Sequence, residues 1–107
     1  MEAGRFLEAF DRFYADDVVM QENDGPERRG KEQNRAREAK FHARLRRMTA
    51  TLLGHAVNGG LAYSEWRYLI EFADGQSWDY TQVAARRWRD GKVVHERFYH
   101  RGFGTKK

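Results

Sequence analysis

Cysteine is absent from this 107-residue chain. That excludes a disulfide framework and a thiolate metal site, and nothing in the composition demands an oxidising compartment. Proline occurs once, as Pro26 in the turn-rich stretch "NDGPERRG" at 23–30. No apolar run approaches the roughly 18 residues a membrane span needs, so no membrane partner is expected. The first residues, "MEAGRFLEAF", carry acids and an amphipathic pattern where a secretory signal would show a basic start and an unbroken apolar stretch. The expected location is therefore the cytoplasm. There is no Gly-rich phosphate loop and no nucleophile elbow, and serine is too scarce for a triad. Charge of one sign is lacking too, with 20 basic against 16 acidic side chains. A net charge of +4 spread in this way reads as a mixed solvated surface rather than a phosphate clamp.

Core material is present. Hydrophobic residues make up 40% of the chain and aromatics 14%, enough for one domain over 1–107 with a single small core. Phe6, Leu7, Phe10, Phe13 and Tyr14 fall on one helical stripe, with Glu8, Asp11 and Arg12 turned to water. Asp16 and Asp17 end that helix, and Val18 to Met20 form a short strand. A second, heavily solvated helix is expected from Lys31 to about Arg47, with Phe41, Leu45 and Met48 as its anchors. "MTATLLGHAV" at 48–57 reads as a strand, "NGG" at 58–60 as a hairpin turn, and the tail 101–107 as frayed.

"ADGQ" at 73–76 and "RDGK" at 89–92 are strong hairpin signals. If both Asp-Gly pairs form two-residue loops, Ile70 faces Asp79, Tyr68 faces Thr81, Trp66 faces Val83 and Val83 faces Phe98. One mainly apolar face of the sheet then carries Trp66, Tyr68, Ile70, Phe72, Val83 and Phe98, with Asp79, Glu96 and His100 as polar intruders. The other face would hold Tyr63, Glu65, Arg67, Leu69, Trp78, Tyr80, Arg86, Trp88, Arg97 and Tyr99. So aromatic a face is expected to meet a partner, and a symmetric homodimer is the simplest one.

The order of these elements, with "FYADDVVMQEN", "RGKEQN", "SEW", "ADGQ" and "RRWRDGKVVHERFY", resembles the SnoaL-like members of the nuclear transport factor 2-like superfamily, related to polyketide cyclases and ketosteroid isomerases. The resemblance implies an α+β cone: a strongly curved antiparallel sheet wrapped on N-terminal helices, a pocket inside, and dimerisation through the outer sheet face. It also implies that the family's long first helix is missing or shortened. Tyr14 to Glu22 resembles the ketosteroid isomerase motif, which places Glu22 where the catalytic base would be and Tyr14 where a tyrosine supports the oxyanion. The family's Asp donor falls near Val83, so steroid-type enolate stabilisation is not expected.

Three functional readings follow. In the first, the cone binds a small apolar or aromatic molecule, with Tyr14, Trp66, Tyr68, Asp79, Thr81, Val83 and Phe98 around it and Glu22, Glu96 and His100 as candidate acid/base groups of an isomerase, cyclase or hydrolase type. Set against it, Glu22 is a loop acid bonded to "NDG" amides or paired with Arg28 or Arg29, and Glu96 and His100 are a satisfied core pair. The second reading is a non-catalytic binding or dimerisation module. The third is nucleic-acid binding through the cations of "KEQNRAREAKFHARLRR" at 31–47, the least supported because Glu32 and Glu38 pair with some of them. No cofactor is expected, and His42, His55, His95 and His100 lack a spacing that would hold a metal.

Overall fold

A computed structural model of the chain describes residues 3–104. The elements run α1 (Ala3–Phe13), β1 (Tyr14–Glu22), β2 (Arg28–Arg29), α2 (Lys31–Ala43), β3 (Leu45–Asn58), β4 (Leu61–Phe72), β5 (Ser77–Arg89) and β6 (Lys92–Tyr99). They form one six-stranded sheet in the order β2-β1-β6-β5-β4-β3. The sheet is mixed, because β1 runs parallel to β6 while the other neighbours are antiparallel.

Of the expected α1 stripe Phe6 and Phe10 turn inward, whereas Phe13 is 40% exposed and Tyr14 already opens β1, so the helix ends at Phe13 instead of running to Asp16. Phe10 is buried in a cluster with Val18, Met20 and Val93, and its ring stacks on Tyr14 at 4.3 Å. Phe6 reaches α2 and stacks on His42 at 4.5 Å. On the exposed side, Asp11 receives both Nε and Nη2 of Arg35, and its backbone carbonyl accepts from Lys31 Nζ. Two cations of the basic helix are thereby tied to α1.

Helix α2 stops at Ala43, short of the expected Arg47. Leu45 and Met48, expected as helical anchors, instead pair with Phe72 and Ile70 on β4. Their spacing fits either element, and the β-branched Thr49 and Thr51 that follow favour the strand. With those anchors removed, the inward stripe of α2 is Asn34, Glu38, Phe41 and His42, and Asn34 is buried with Nδ2 donating to the carbonyls of Arg28 and Gly30.

The β4–β5 hairpin corrects the expected register. Its loop has three residues, Ala73 to Gly75, closed by Phe72 N–H donating to Gln76 O at 2.9 Å. Gly75 has φ of 94°, the left-handed residue that ends a three-residue loop of this kind. Ile70 therefore pairs with Trp78, and Tyr68 with Tyr80. One residue of slip turns every β5 side chain over: Trp78, Tyr80, Gln82 and Arg86 face the cone interior, while Asp79, Thr81 and Val83 face outward. At the next turn Asp90 and Gly91 do form the expected two-residue loop, both with positive φ. A bulge at Val94 then shifts the pairing by one, so Glu96 lies opposite Arg86 and Phe98 opposite Ala84. The two shifts cancel, and β6 presents Glu96, Phe98 and His100 inward as expected.

Candidate functional site

A cavity of about 400 Å³ lies between α2 and the concave face of the sheet. Its aromatic wall is built by Phe41 from α2, Tyr68 from β4, Trp78 and Tyr80 from β5, and Phe98 from β6. Alternation on consecutive strands places these rings together. Polar groups come from every side: Tyr14 and Glu22 at the two ends of β1, Arg28 on β2, Glu38 on α2, Arg86 on β5 and Glu96 on β6.

Glu96 has no solvent exposure. Tyr14 Oη donates to its Oε1 at 2.6 Å, and Arg86 Nε donates to its Oε2. Such a buried charge requires these partners. Burial, reinforced by the Glu96 charge, pushes the Tyr14 hydroxyl well above its ordinary pKa. For Arg86 burial acts downward, but the Glu96 carboxylate outweighs it and keeps the guanidinium charged. Burial likewise raises the hydroxyls of Tyr68 and Tyr80.

Glu38 stands apart because no basic side chain among the described residues hydrogen-bonds it. Burial is the main cause that lifts its pKa to about 7, the charges of Glu96 and Glu22 lift it further, and Arg28 and Arg37 pull the other way. A carboxyl with that value is half protonated at neutral pH, the condition under which one group both takes and returns a proton. Burial also lowers the pKa of Arg28, helped by repulsion from Arg37.

Glu22 is positioned by the loop after β1. Asn23 N–H donates to Phe98 O at 2.7 Å, Asn23 Oδ1 accepts the His100 N–H at 3.0 Å, and Arg97 Nε donates to Asn23 O at 2.8 Å. This holds the Glu22 Oε2 4.0 Å from His100 Nε2, the imidazole itself being only 6% exposed. Gly102 N–H donates to His100 Nδ1, so the neutral ring carries its proton on Nε2, toward Glu22.

The model of the SnoaL-like domain family matches residues 1–96. The chain belongs to the SnoaL-like family. Among solved structures, an LEH-like epoxide hydrolase from M. tuberculosis is similar at 13% identity and a TM-score of 0.78, over 92% of this chain and 72% of that one. A SnoaL-like protein from Jannaschia sp. CCS1, proposed to be a polyketide cyclase, is similar at 17% identity and 0.79, over 90% and 72%. A hypothetical protein with a ketosteroid isomerase-like fold from Catenulispora acidiphila DSM 44928, in complex with trimethylamine, is similar at 18% and 0.73, over 87% and 73%. At these identities the likeness establishes the fold, an NTF2-like α+β cone, and nothing about chemistry. No curated protein matches. No helix among the described residues is long and apolar enough to cross a membrane.

Within this SnoaL-like cone the residues expected from sequence separate into three groups. Glu22, Glu96, Tyr14, Tyr68 and Phe98 line the cavity, and His100 sits behind Glu22. Trp66 shares the inner face, but its indole leans on Tyr68 at 6.3 Å and donates to Ser64 Oγ. Asp79, Thr81 and Val83 lie on the opposite face because of the β4–β5 slip, and Asp79 forms an exposed pair with Arg67. Glu96 is paired with Tyr14 and Arg86 rather than with His100. Glu38, Arg86, Trp78 and Tyr80 line the cavity without having been anticipated there. Glu38 had one signal: it lies three residues before Phe41, on the same side of α2.

Proposed function

We propose that this SnoaL-like domain is a small-molecule enzyme of the proton-transfer type, with an apolar or aromatic substrate in the cone and Glu38 as the group that exchanges the proton. The observation that carries this reading is the convergence of Glu22, Glu38 and Glu96, from three different elements, on one aromatic cavity. Their environments differ, and such differences divide acid from base roles. Glu96 has both oxygens taken up by Tyr14 and Arg86 and serves to hold those two side chains in place. Glu38 has no such partner among the described residues, and its carboxyl titrates near neutral pH. Glu22, backed by His100, is placed to accept or relay a proton at the other side of the cavity.

The test needs no natural substrate. The α-protons of 2-tetralone, a flat aromatic ketone, exchange with D2O, and deuterium uptake is read by proton NMR. The protein is expected to accelerate exchange, and Glu38→Gln to lose about 10²- to 10⁴-fold of that acceleration. Equal rates for the two proteins would remove Glu38 from the chemistry. A binding-only module is the second reading, favoured by one observation: Tyr14 and Arg86 are both engaged with Glu96, which leaves neither free to stabilise an oxyanion. Saturable binding of 2-tetralone with no exchange would select it.

We further propose that two copies associate through the outer sheet face, where Tyr63, Leu69 and Tyr99 are each more than 40% exposed. With Trp78 and Tyr80 turned inward, this face is less aromatic than the sequence pattern suggested. Leu69→Arg is expected to convert a sedimenting dimer to monomer, and a monomeric parent protein would end the proposal.

A further inference from the structure

Residues 101–104 form a strap along the edge of β5, with Phe103 in the cavity wall. The chain leaves β6 after Tyr99, and β5 continues beyond it with a free edge that the strap covers, Asp79 N–H donating to Phe103 O at 3.0 Å. Phe103 lines the cavity from there. Its ring lies between two others, 4.1 Å from Trp78 at an interplanar angle of 10° and 4.6 Å from His100 at 28°, with Tyr80 edge-on at 5.0 Å. A phenyl ring held in this way occupies a slot one ring thick.

The slot has polar edges that Phe103 does not use. Trp78 Nε1 and His100 Nε2 are both buried without a hydrogen-bond partner among the described residues, and both are donors when His100 is neutral with its Nδ1 accepting from Gly102. Both N–H bonds lie in the planes of their own rings, so they point along the rim of the slot and not at the ring between them. The strap itself is held lightly. Among the described residues its polar anchors are the Phe103 carbonyl and the Gly102 amide, few enough for local opening. It also depends on a close approach at Gly104, where φ is 55° and a Cβ would sit 2.3 Å from the Asp79 carbonyl oxygen.

We propose that the slot between Trp78 and His100 is a binding subsite for a planar aromatic ring, and that Phe103 is its built-in plug, displaced when such a ring enters. This rests on reading the cavity as a small-molecule site and narrows its substrate class. The ring would lie beside the Glu22–His100 pair, with its substituents directed into the cavity. Because the plug competes with the ligand, the apparent affinity is reduced by the fraction of molecules in which the strap is open.

The probe is 2-naphthol, titrated calorimetrically against the full chain. Each stacked contact of this kind is worth roughly a factor of two to ten in affinity, so Phe103→Ala is expected to bind at least tenfold more tightly than the parent protein. Gly104→Ala keeps the ring but unseats the strap, and it should also bind more tightly, which keeps the proposal testable should Phe103→Ala fail to fold. Adding Trp78→Leu to Phe103→Ala should abolish the gain. Equal affinity of the parent and the folded plug variants would overturn the proposal, as would a gain that survives the loss of Trp78. Naphthol binding involves no proton transfer to Glu38, so failure here leaves the 2-tetralone result standing, and the reverse also holds.

Discussion

Glu96→Ala is expected to destabilise the protein by about 3–5 kcal/mol, read as a lower midpoint in urea unfolding followed by circular dichroism. Two costs combine. The carboxylate is entirely buried, and its removal leaves a void between β1, β5 and β6. More costly, it strands the Arg86 guanidinium and the Tyr14 hydroxyl, whose hydrogen bonds both end on Glu96. Glu96→Gln fills the same volume and keeps one acceptor oxygen, so it should cost less than the alanine, but its NH2 group leaves one of the two donors without an acceptor. The decisive comparison is the double variant Arg86→Met, Glu96→Met. If the damage comes from an uncompensated charge, removing both partners should restore most of the loss, because replacing a buried ion pair with packed apolar groups is often neutral or better. A double variant as unstable as Glu96→Ala would mean instead that packing around the site, not charge, governs this end of the cone. Since β1, β5 and β6 are all joined at Glu96, the experiment also reports how firmly the parallel β1–β6 pair is held.

This cluster illustrates how far the sequence could be read. The stripe of Phe6 and Phe10, the Gly-Gly and Asp-Gly turns and the overall order of elements were legible because each is a short-range pattern. The position of β5 was not. Whether the loop after Phe72 holds two residues or three depends on whether Ala73 stays in the ladder, a choice decided by packing Trp78 and Tyr80 against Phe41 and Tyr68. That single residue turned Arg86 inward and Asp79, Thr81 and Val83 outward, while the bulge at Val94 set Arg86 opposite Glu96. The bulge at Val94 restored β6, so Glu96 was placed correctly with the wrong opposite neighbours. Glu38 was obscured differently. Charged residues on a basic helix ordinarily face water, and only the true end of α2 at Ala43 shows that Phe41 and His42, hence Glu38, line the inner stripe. Phe103 lay in a tail of glycines and cations, with no periodic pattern to show that it turns back onto Trp78.

Between pH 5 and pH 8 the protein is expected to lose about 2–3 kcal/mol of stability through Glu38. A glutamate carboxyl free in water titrates at 4.5, and the fold raises this one to about 7. Below 4.5 both folded and unfolded chains hold the proton, and the fold gains in full from burying a neutral acid. As the pH rises past that value the unfolded chain releases its proton while the folded chain keeps it, so unfolding becomes progressively easier until the folded group ionises near pH 7, after which the curve flattens. Glu38→Gln carries no such proton. It should match the parent protein near pH 5 and exceed it by about 2–3 kcal/mol at pH 8 in urea unfolding. Parallel pH profiles for the two proteins would mean that Glu38 is solvated and ordinary. Glu22→Gln supplies an internal check, because the Glu22 charge is one of the causes that raise Glu38; its removal should move the inflection toward lower pH. A destabilising ionised carboxyl at physiological pH is tolerated where it serves the site rather than the fold, so a variant that gains stability at pH 8 while losing 2-tetralone exchange would tie both properties to the same proton.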